Sequence, residues 1–180
     1  MNSDNKNTSA IRLGADFYTR DVLTVAPELL GKLLVRRFAD GSVIKCRITE
    51  TEAYRGEEDA ACHARAGRTN RTSVLYERGG MVYVYLCYGI HYLFNVVTGE
   101  KDVPQAALIR GVEGYPGPGR LTRAMEIDKS LNMADLTSSA DIWIEDDGVS
   151  ARYTTSPRIG IGYAAGPYKS IEWRFVWEKD

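Results

Sequence analysis

The sequence has no apolar stretch approaching the roughly 20 residues that a membrane-spanning helix requires, because charges, glycines and turns interrupt every candidate. A soluble protein without a membrane partner is expected. The opening run Met1–Ala10 also lacks the apolar centre of a secretory leader; Asn2, Ser3, Asn5, Asn7 and Thr8 make it polar, and it reads as a disordered lead into the fold. Cysteine is scarce. The three present, Cys46, Cys62 and Cys87, are odd in number and irregular in spacing, which argues against a disulfide framework and for a reducing compartment, the cytoplasm or, in a eukaryote, the nucleus. Cys62, His63, Cys87 and His91 follow no regular ligand spacing, so no metal and no other cofactor is expected. Net charge is nearly absent as well, at −1, and composition alone does not announce a nucleic-acid binder. The charge is nevertheless uneven, with Arg65, Arg68, Arg71 and Arg78 close together and Glu145, Asp146 and Asp147 clustered far along the chain. A basic face is compatible with a neutral total; the same arginines could equally solvate a polar loop.

What is present suffices for one hydrophobic core: 180 residues, 44% of them hydrophobic, point to a single domain spanning residues 11–180. Leu29, Leu30, Leu33 and Leu34 predict a short amphipathic helix over 26–34, with Pro27 in its first turn. Asp40-Gly41 is a turn dipeptide between apolar segments, so a hairpin should join 35–38 to a second strand, 43–54. Residues 55–79 lack periodicity and read as a long loop with one helical turn near 59–65, and loops of that length in a compact domain are often functional. Residues 81–97 alternate strongly around Tyr88-Gly89, the pattern of a β-hairpin with an aromatic at a protruding tip. Further strands are expected at 106–110, 142–145, 159–162 and 173–176, a Gly/Pro loop at 115–119 and a helix over 121–131. No internal repeat or low-complexity block occurs. The fold class expected is α+β, a single domain with a curved, mostly antiparallel β-sheet, flanking helices and a protruding hairpin.

In an extended 43–54 strand, Glu50, Glu52 and Tyr54 share one face while Thr49, Thr51 and Ala53 share the other. Two carboxylates and an aromatic are thereby aligned, although ordinary solvent-facing residues would give the same pattern. Tyr85 could likewise be a core aromatic, His63 a satisfied polar residue, Asn95 a hydrogen-bonded strand residue, and Gly117 and Gly119 parts of a simple turn.

The stretch from Thr51-Glu52-Ala53-Tyr54, through His63, the arginine-rich loop, Tyr83-Val84-Tyr85 and the Tyr88-Gly89 tip, resembles the alkyladenine DNA glycosylase family, also called the methylpurine or 3-methyladenine DNA glycosylases. The segments FYTRDVLTVAPELLGKLLVRR, GPGRLTRAMEI and SPRIGIGYAAG extend that resemblance over nearly the whole folded chain. It implies a DNA repair enzyme that binds double-stranded DNA as a monomer, flips a damaged purine out of the duplex and hydrolyses its N-glycosidic bond. Such hydrolysis passes through a sugar cation and needs a carboxylate to position and deprotonate water; the resemblance places that role on Glu52, with Arg110 beside the water and the target phosphate.

A flipped base loses its stacking neighbours, and the resemblance supplies Tyr54 on one face and His63 with Tyr85 on the other, while Asn95 stands against the purine edge and disfavours the guanine amino group. Tyr88 would wedge into the vacated stack; an aromatic exposed at a turn has little structural reason to be there. Arg68, Arg71, Gly117, Gly119 and Arg120 are candidates for DNA backbone contacts. The resemblance places no lysine for a Schiff base, so an enzyme without lyase activity that leaves an abasic site is expected. The chain departs from the family in the short connection Gly111–Pro116, where a longer insertion is usual. Two other readings stand beside this one. A hydrolase of nucleosides or other small N-glycosides would use the same Glu52 chemistry but has no use for a wedge, and a non-catalytic damage-binding protein would have no use for Glu52.

Overall fold

In the computed structural model, which describes residues 9–179, strand β1 (Ile11–Arg12) and the single turn α1 (Ala15–Tyr18) lead into helix α2 (Val22–Glu28). Residues 1–8, most of the expected disordered lead, lie outside the described residues. Asp21 starts α2 by accepting the Leu23 N–H at 2.9 Å, which satisfies one of the donors that a helix start leaves open. The helix expected at 26–34 is therefore corrected: it begins earlier, ends at Glu28, and holds Pro27 in its last turn rather than its first. Gly31, at φ +83°, turns the chain so that Leu33 and Leu34 enter strand β2 (Leu33–Arg37) instead. Leu29, Leu30 and Leu34 all reach the core regardless, so the leucine spacing fits two elements as well as one.

From β2 the chain reverses at Asp40-Gly41 into the long strand β3 (Val43–Arg55), and two 3-10 turns, His63–Ala66 and Ser73–Tyr76, punctuate the loop that follows. The hairpin β4 (Val82–Cys87) and β5 (His91–Val97), strands β6 (Gln105–Val112) and β7 (Tyr115–Pro116), helix α3 (Pro118–Ala124) and strands β8 (Ile142–Asp146), β9 (Tyr153–Ser156) and β10 (Arg174–Trp177) complete the described elements. The expected helix over 121–131 splits into α3 and a 3-10 turn at Lys129–Leu131, interrupted where Glu126 takes φ +48°. No strand forms at 159–162. Gly160 is at φ +77° there, Arg158 is drawn into the interior, and the pairing strand is the unanticipated β9.

The strands form one antiparallel sheet in the order β1-β8-β2-β3-β6-β5-β4, with β10 also pairing β3, β9 beyond it, and β7 on β6. The fold is α+β, a single domain dominated by this sheet. β3 is its spine. Its first half pairs with β2 and its second half with β6 and β10, and the change of partner coincides with a register irregularity between Ile48 and Thr51. Such bulges bend a strand and re-aim its side chains. One face of the sheet packs on α2 and α3 through Ile48, Phe94, Ile109, Leu121 and Met125, all at most 2% exposed. The Thr51 hydroxyl ties β3 to α2 by donating to the Ala26 carbonyl at 2.8 Å.

Candidate active site

With Thr51 and Ala53 committed to the core, strand alternation turns Glu50, Glu52 and Tyr54 to the opposite face. The Glu52 side chain is 0% exposed, and its carboxylate has three neighbours that stabilise negative charge. The Tyr54 hydroxyl donates to Oε2 at 2.8 Å, the Ile159 backbone N–H donates to Oε1 at 2.7 Å, and Arg110 Nη1 lies 3.5 Å from Oε1. Glu50 acts on this group indirectly: its Oε1 accepts from Arg110 Nε at 3.0 Å and from Arg174 Nε at 2.6 Å, fixing Arg110 beside Glu52. Burial raises the Glu52 pKa; Arg110, the Ile159 N–H and the Tyr54 hydroxyl pull it down and Glu50 pushes it up, and the net result stays above the ordinary carboxylate value.

Tyr54 also lines a cleft, together with Ala61, Cys62, His63, Leu75, Tyr83, Tyr85, Asn95, Ala106 and Tyr163. Four residues singled out in the sequence, Tyr54, His63, Tyr85 and Asn95, thus meet around one opening, although they are spread widely along the chain. Glu52 is not among the lining residues; its link to the cleft is the Tyr54 hydroxyl. The His63 ring stands edge-on to Tyr85 with centroids 4.6 Å apart, and its Nδ1 is 2.9 Å from the Tyr83 hydroxyl. Burial, with Arg71 and Arg65 adding to it, pushes the His63 pKa down to about 4, so the imidazole is neutral at physiological pH. Asn95 is 4% exposed and its Nδ2 donates to the Tyr83 carbonyl at 3.1 Å, which anchors the amide in the wall of the cleft.

Beside the cleft the β4–β5 hairpin turns at Tyr88 and Gly89, both with positive φ, +49° and +68°. Tyr88 is 85% exposed, and Leu86 and Ile90 flank it at 49% and 69%. The candidate DNA contacts divide. Arg71 lies with its guanidinium carbon 5.2 Å from the Tyr85 ring centre, at the cleft rather than away from it, and Arg120 is exposed on α3 without an ion pair among the described residues. Arg68 is already engaged, with Asp102 at 3.0 Å and Glu77 at 3.7 Å. The two glycines have structural reasons of their own. Gly117 takes φ +90° at the start of α3, and a Cβ on Gly119 would sit 2.9 Å from the His91 ring, which packs against it.

Sequence reasoning passed over Tyr83 and Tyr163 in the cleft and Ile159 and Arg174 around the carboxylates. Tyr83 shares a face with Tyr85 by simple alternation and was legible; Tyr163 and Ile159 come from an irregular segment with no periodic signal. Among the described residues no three His, Cys, Asp or Glu side chains converge as metal ligands would, and no helix is long and apolar enough to cross a membrane.

The sequence profile of the family described as Methylpurine-DNA glycosylase matches residues 16–116 and 115–180. The two matched segments meet at Tyr115–Pro116, within the short connection Gly111–Pro116. Relatives named provisionally as 3-methyladenine DNA glycosylases include one from Psychrobacter cryohalolentis, 40% identical over 89% of this chain and 89% of its own length. Another from Natranaerobius thermophilus is 43% identical over 92% of this chain and 94% of its own. A third, from Desulfitobacterium hafniense, is 44% identical over 93% and 95%. With the cleft and every strand of the sheet but β1 inside the matched segments, the chain belongs to the methylpurine-DNA glycosylase family.

Proposed function

We propose that the protein removes alkylated or deaminated purines from double-stranded DNA by flipping the damaged nucleotide into the cleft and hydrolysing its N-glycosidic bond, leaving an abasic site. The observation that carries this reading is the double engagement of Tyr54, which lines an aromatic cleft and donates a hydrogen bond to a buried carboxylate. Glu52 deprotonates a water that attacks the sugar carbon as the base departs, and its negative charge favours the cationic sugar of the transition state. Arg110 favours the ionised carboxylate against the effect of burial, and Glu50 holds it where it can also meet the target phosphate. Tyr54 stacks on one face of the base, with His63 and Tyr85 on the other; the neutral His63 adds no repulsion toward a positively charged alkylpurine.

Tyr88 fills the space left in the duplex. Arg71, Arg120 and the backbone at Gly117 and Gly119 meet the phosphates, whereas Arg68 has first to leave its acidic partners. In this reading water attacks directly, with no Schiff base to an amine and no cleavage of the strand. Three free cysteines fit a reducing compartment, and a monomer working in the cytoplasm is the arrangement proposed.

The test is release of free base from duplexes bearing 3-methyladenine, 7-methylguanine, hypoxanthine or ethenoadenine, against undamaged duplex and against the free nucleosides. Release from at least one lesion duplex and none from nucleosides is expected. Faster turnover of nucleosides than of DNA would favour the small-glycoside hydrolase reading, and tight lesion binding with no release the damage-binding one.

Asn95 sets selectivity in this reading, because an amide anchored to the Tyr83 carbonyl cannot swing away from an extra exocyclic amine. Asn95→Ser should raise the ratio of guanine to hypoxanthine release from matched duplexes by about tenfold, the scale of one relieved steric contact. An unchanged ratio would make Asn95 a structural residue of β5.

A further inference from the structure

Asp59 and Arg158 form an ion pair in which both side chains are 0% exposed. Their two hydrogen bonds, at 2.6 and 2.8 Å, join the loop after β3 to the irregular segment after β9. Arg158 Nη1 also donates to the carbonyl of Ala53, the residue between Glu52 and Tyr54, at 2.8 Å. The guanidinium carbon lies 4.7 Å from the Tyr54 ring centre and 5.2 Å from that of Trp173. The next residue along the chain, Ile159, supplies the N–H that donates to Glu52.

Taking two charges out of water is costly, and an apolar pair of similar volume often holds a fold equally well. Here the Arg158 Nε is additionally left without a partner among the described residues. An interior ion pair with an unsatisfied donor calls for a use other than packing. Its contacts supply one, since they fix both residues that hydrogen-bond the Glu52 carboxylate. We infer that the Asp59–Arg158 pair is a positioning device for the general base, holding the Ile159 N–H on Glu52 and backing the Tyr54 ring against the cleft. This inference rests on the reading of Glu52 as the base.

The groups that face Glu52 are Arg110 on β6, Glu50 and Tyr54 on β3, and the Ile159 N–H with Arg158 behind it on the loop, while Arg174 on β10 faces Glu50. Loosening the loop removes a donor that lowers the Glu52 pKa and leaves the burial that raises it. The acid limb of the rate profile should then move to higher pH.

The test compares wild type with Asp59→Asn/Arg158→Met, which removes both charges together so that neither is stranded, and with Arg158→Lys, which keeps a charge but loses the planar fork. Carbon-13 NMR of labelled glutamate follows Glu52 titration, and single-turnover base release follows the rate profile. In both variants the Glu52 titration and the acid limb should rise by about one pH unit, the scale of one hydrogen bond to a charged group. Base release well below the wild-type midpoint should fall about tenfold, which is that same unit. Lesion affinity should change less than the rate.

A cooperatively folded variant with an unmoved Glu52 titration would overturn the inference, whatever its melting temperature, because a purely structural pair would lower stability and leave the titration in place. If the double variant does not fold, Arg158→Lys decides by the same readings. An acid limb that persists in Glu52→Gln would instead overturn the assignment of the base, a distinct failure.

Discussion

Glu52→Gln should lower single-turnover base release from a lesion duplex by about a thousandfold, within the range that general-base catalysis supplies. The amide keeps the shape of the carboxylate, its oxygen can still accept from the Ile159 N–H, and its NH2 can donate to the Tyr54 hydroxyl oxygen in place of accepting from it, so lesion binding should be nearly unchanged. Only the proton acceptor is lost. Wild-type release should rise with pH through a midpoint above the ordinary carboxylate range, because burial raises the Glu52 pKa and the base works when ionised. That limb should be missing from the residual activity of Glu52→Gln. Glu50→Gln provides the comparison. Its carboxylate is bound to Arg110 and Arg174 and bears on Glu52 indirectly, through Arg110, so its loss should loosen Arg110 and cost far less. Comparable turnover in Glu52→Gln and wild type would sink the assignment, and a dead Glu50→Gln beside an active Glu52→Gln would transfer the role to the other carboxylate.

The part of this site that lies on β3 was legible because alternation holds beyond the irregularity between Ile48 and Thr51, where Glu52 and Tyr54 lie opposite the buried Thr51 and Ala53; the irregularity itself, which moves the core face from Cys46 and Ile48 to Thr51 and Ala53, was not. The hairpin was legible for a similar reason: alternation on either side of Tyr88-Gly89 fixes both strands and leaves the aromatic at the tip. Periodicity failed where two elements share one set of core contacts. Leu29 and Leu34 reach the same core from the end of a helix and the start of a strand, and only the Asp21 cap and the Gly31 turn decide where the helix starts and where the strand takes over. It failed completely for the loop 157–165. There conformation is set by Arg158 reaching Asp59, 99 positions away, and a charge pair at that separation leaves no local pattern. The ion pairs of Arg68 were equally hidden, since the fold brings Asp102 and Glu77 to it and no local pattern announces them.

Tyr88→Ser should impair flipping rather than the chemical step. At 85% exposure the ring contributes little to the core, yet its backbone is held at φ +49°, a conformation that a bulky side chain adopts only at a cost. Folding alone favours glycine or asparagine there, and the proposed wedge is a use for the ring that the fold itself does not supply. If it enters the gap left by the flipped nucleotide, its stacking offsets about 1–3 kcal/mol of the unstacking cost. Its removal should then slow release from a well-paired lesion by about ten- to a hundredfold, since every 1.4 kcal/mol is roughly a factor of ten. A lesion in a bulge or mismatch is already partly unstacked, and release there should fall much less. Thermal stability should be unchanged or slightly higher, because serine loses no buried contact at this turn. The fluorescence of an ethenoadenine lesion reports its stacking neighbours, and in the variant its signal should shift toward the stacked state on paired duplex. Equal losses on paired and mispaired substrates, with the same fluorescence as wild type, would make Tyr88 a bystander and move the wedge to Leu86 or Ile90, the apolar residues exposed beside it.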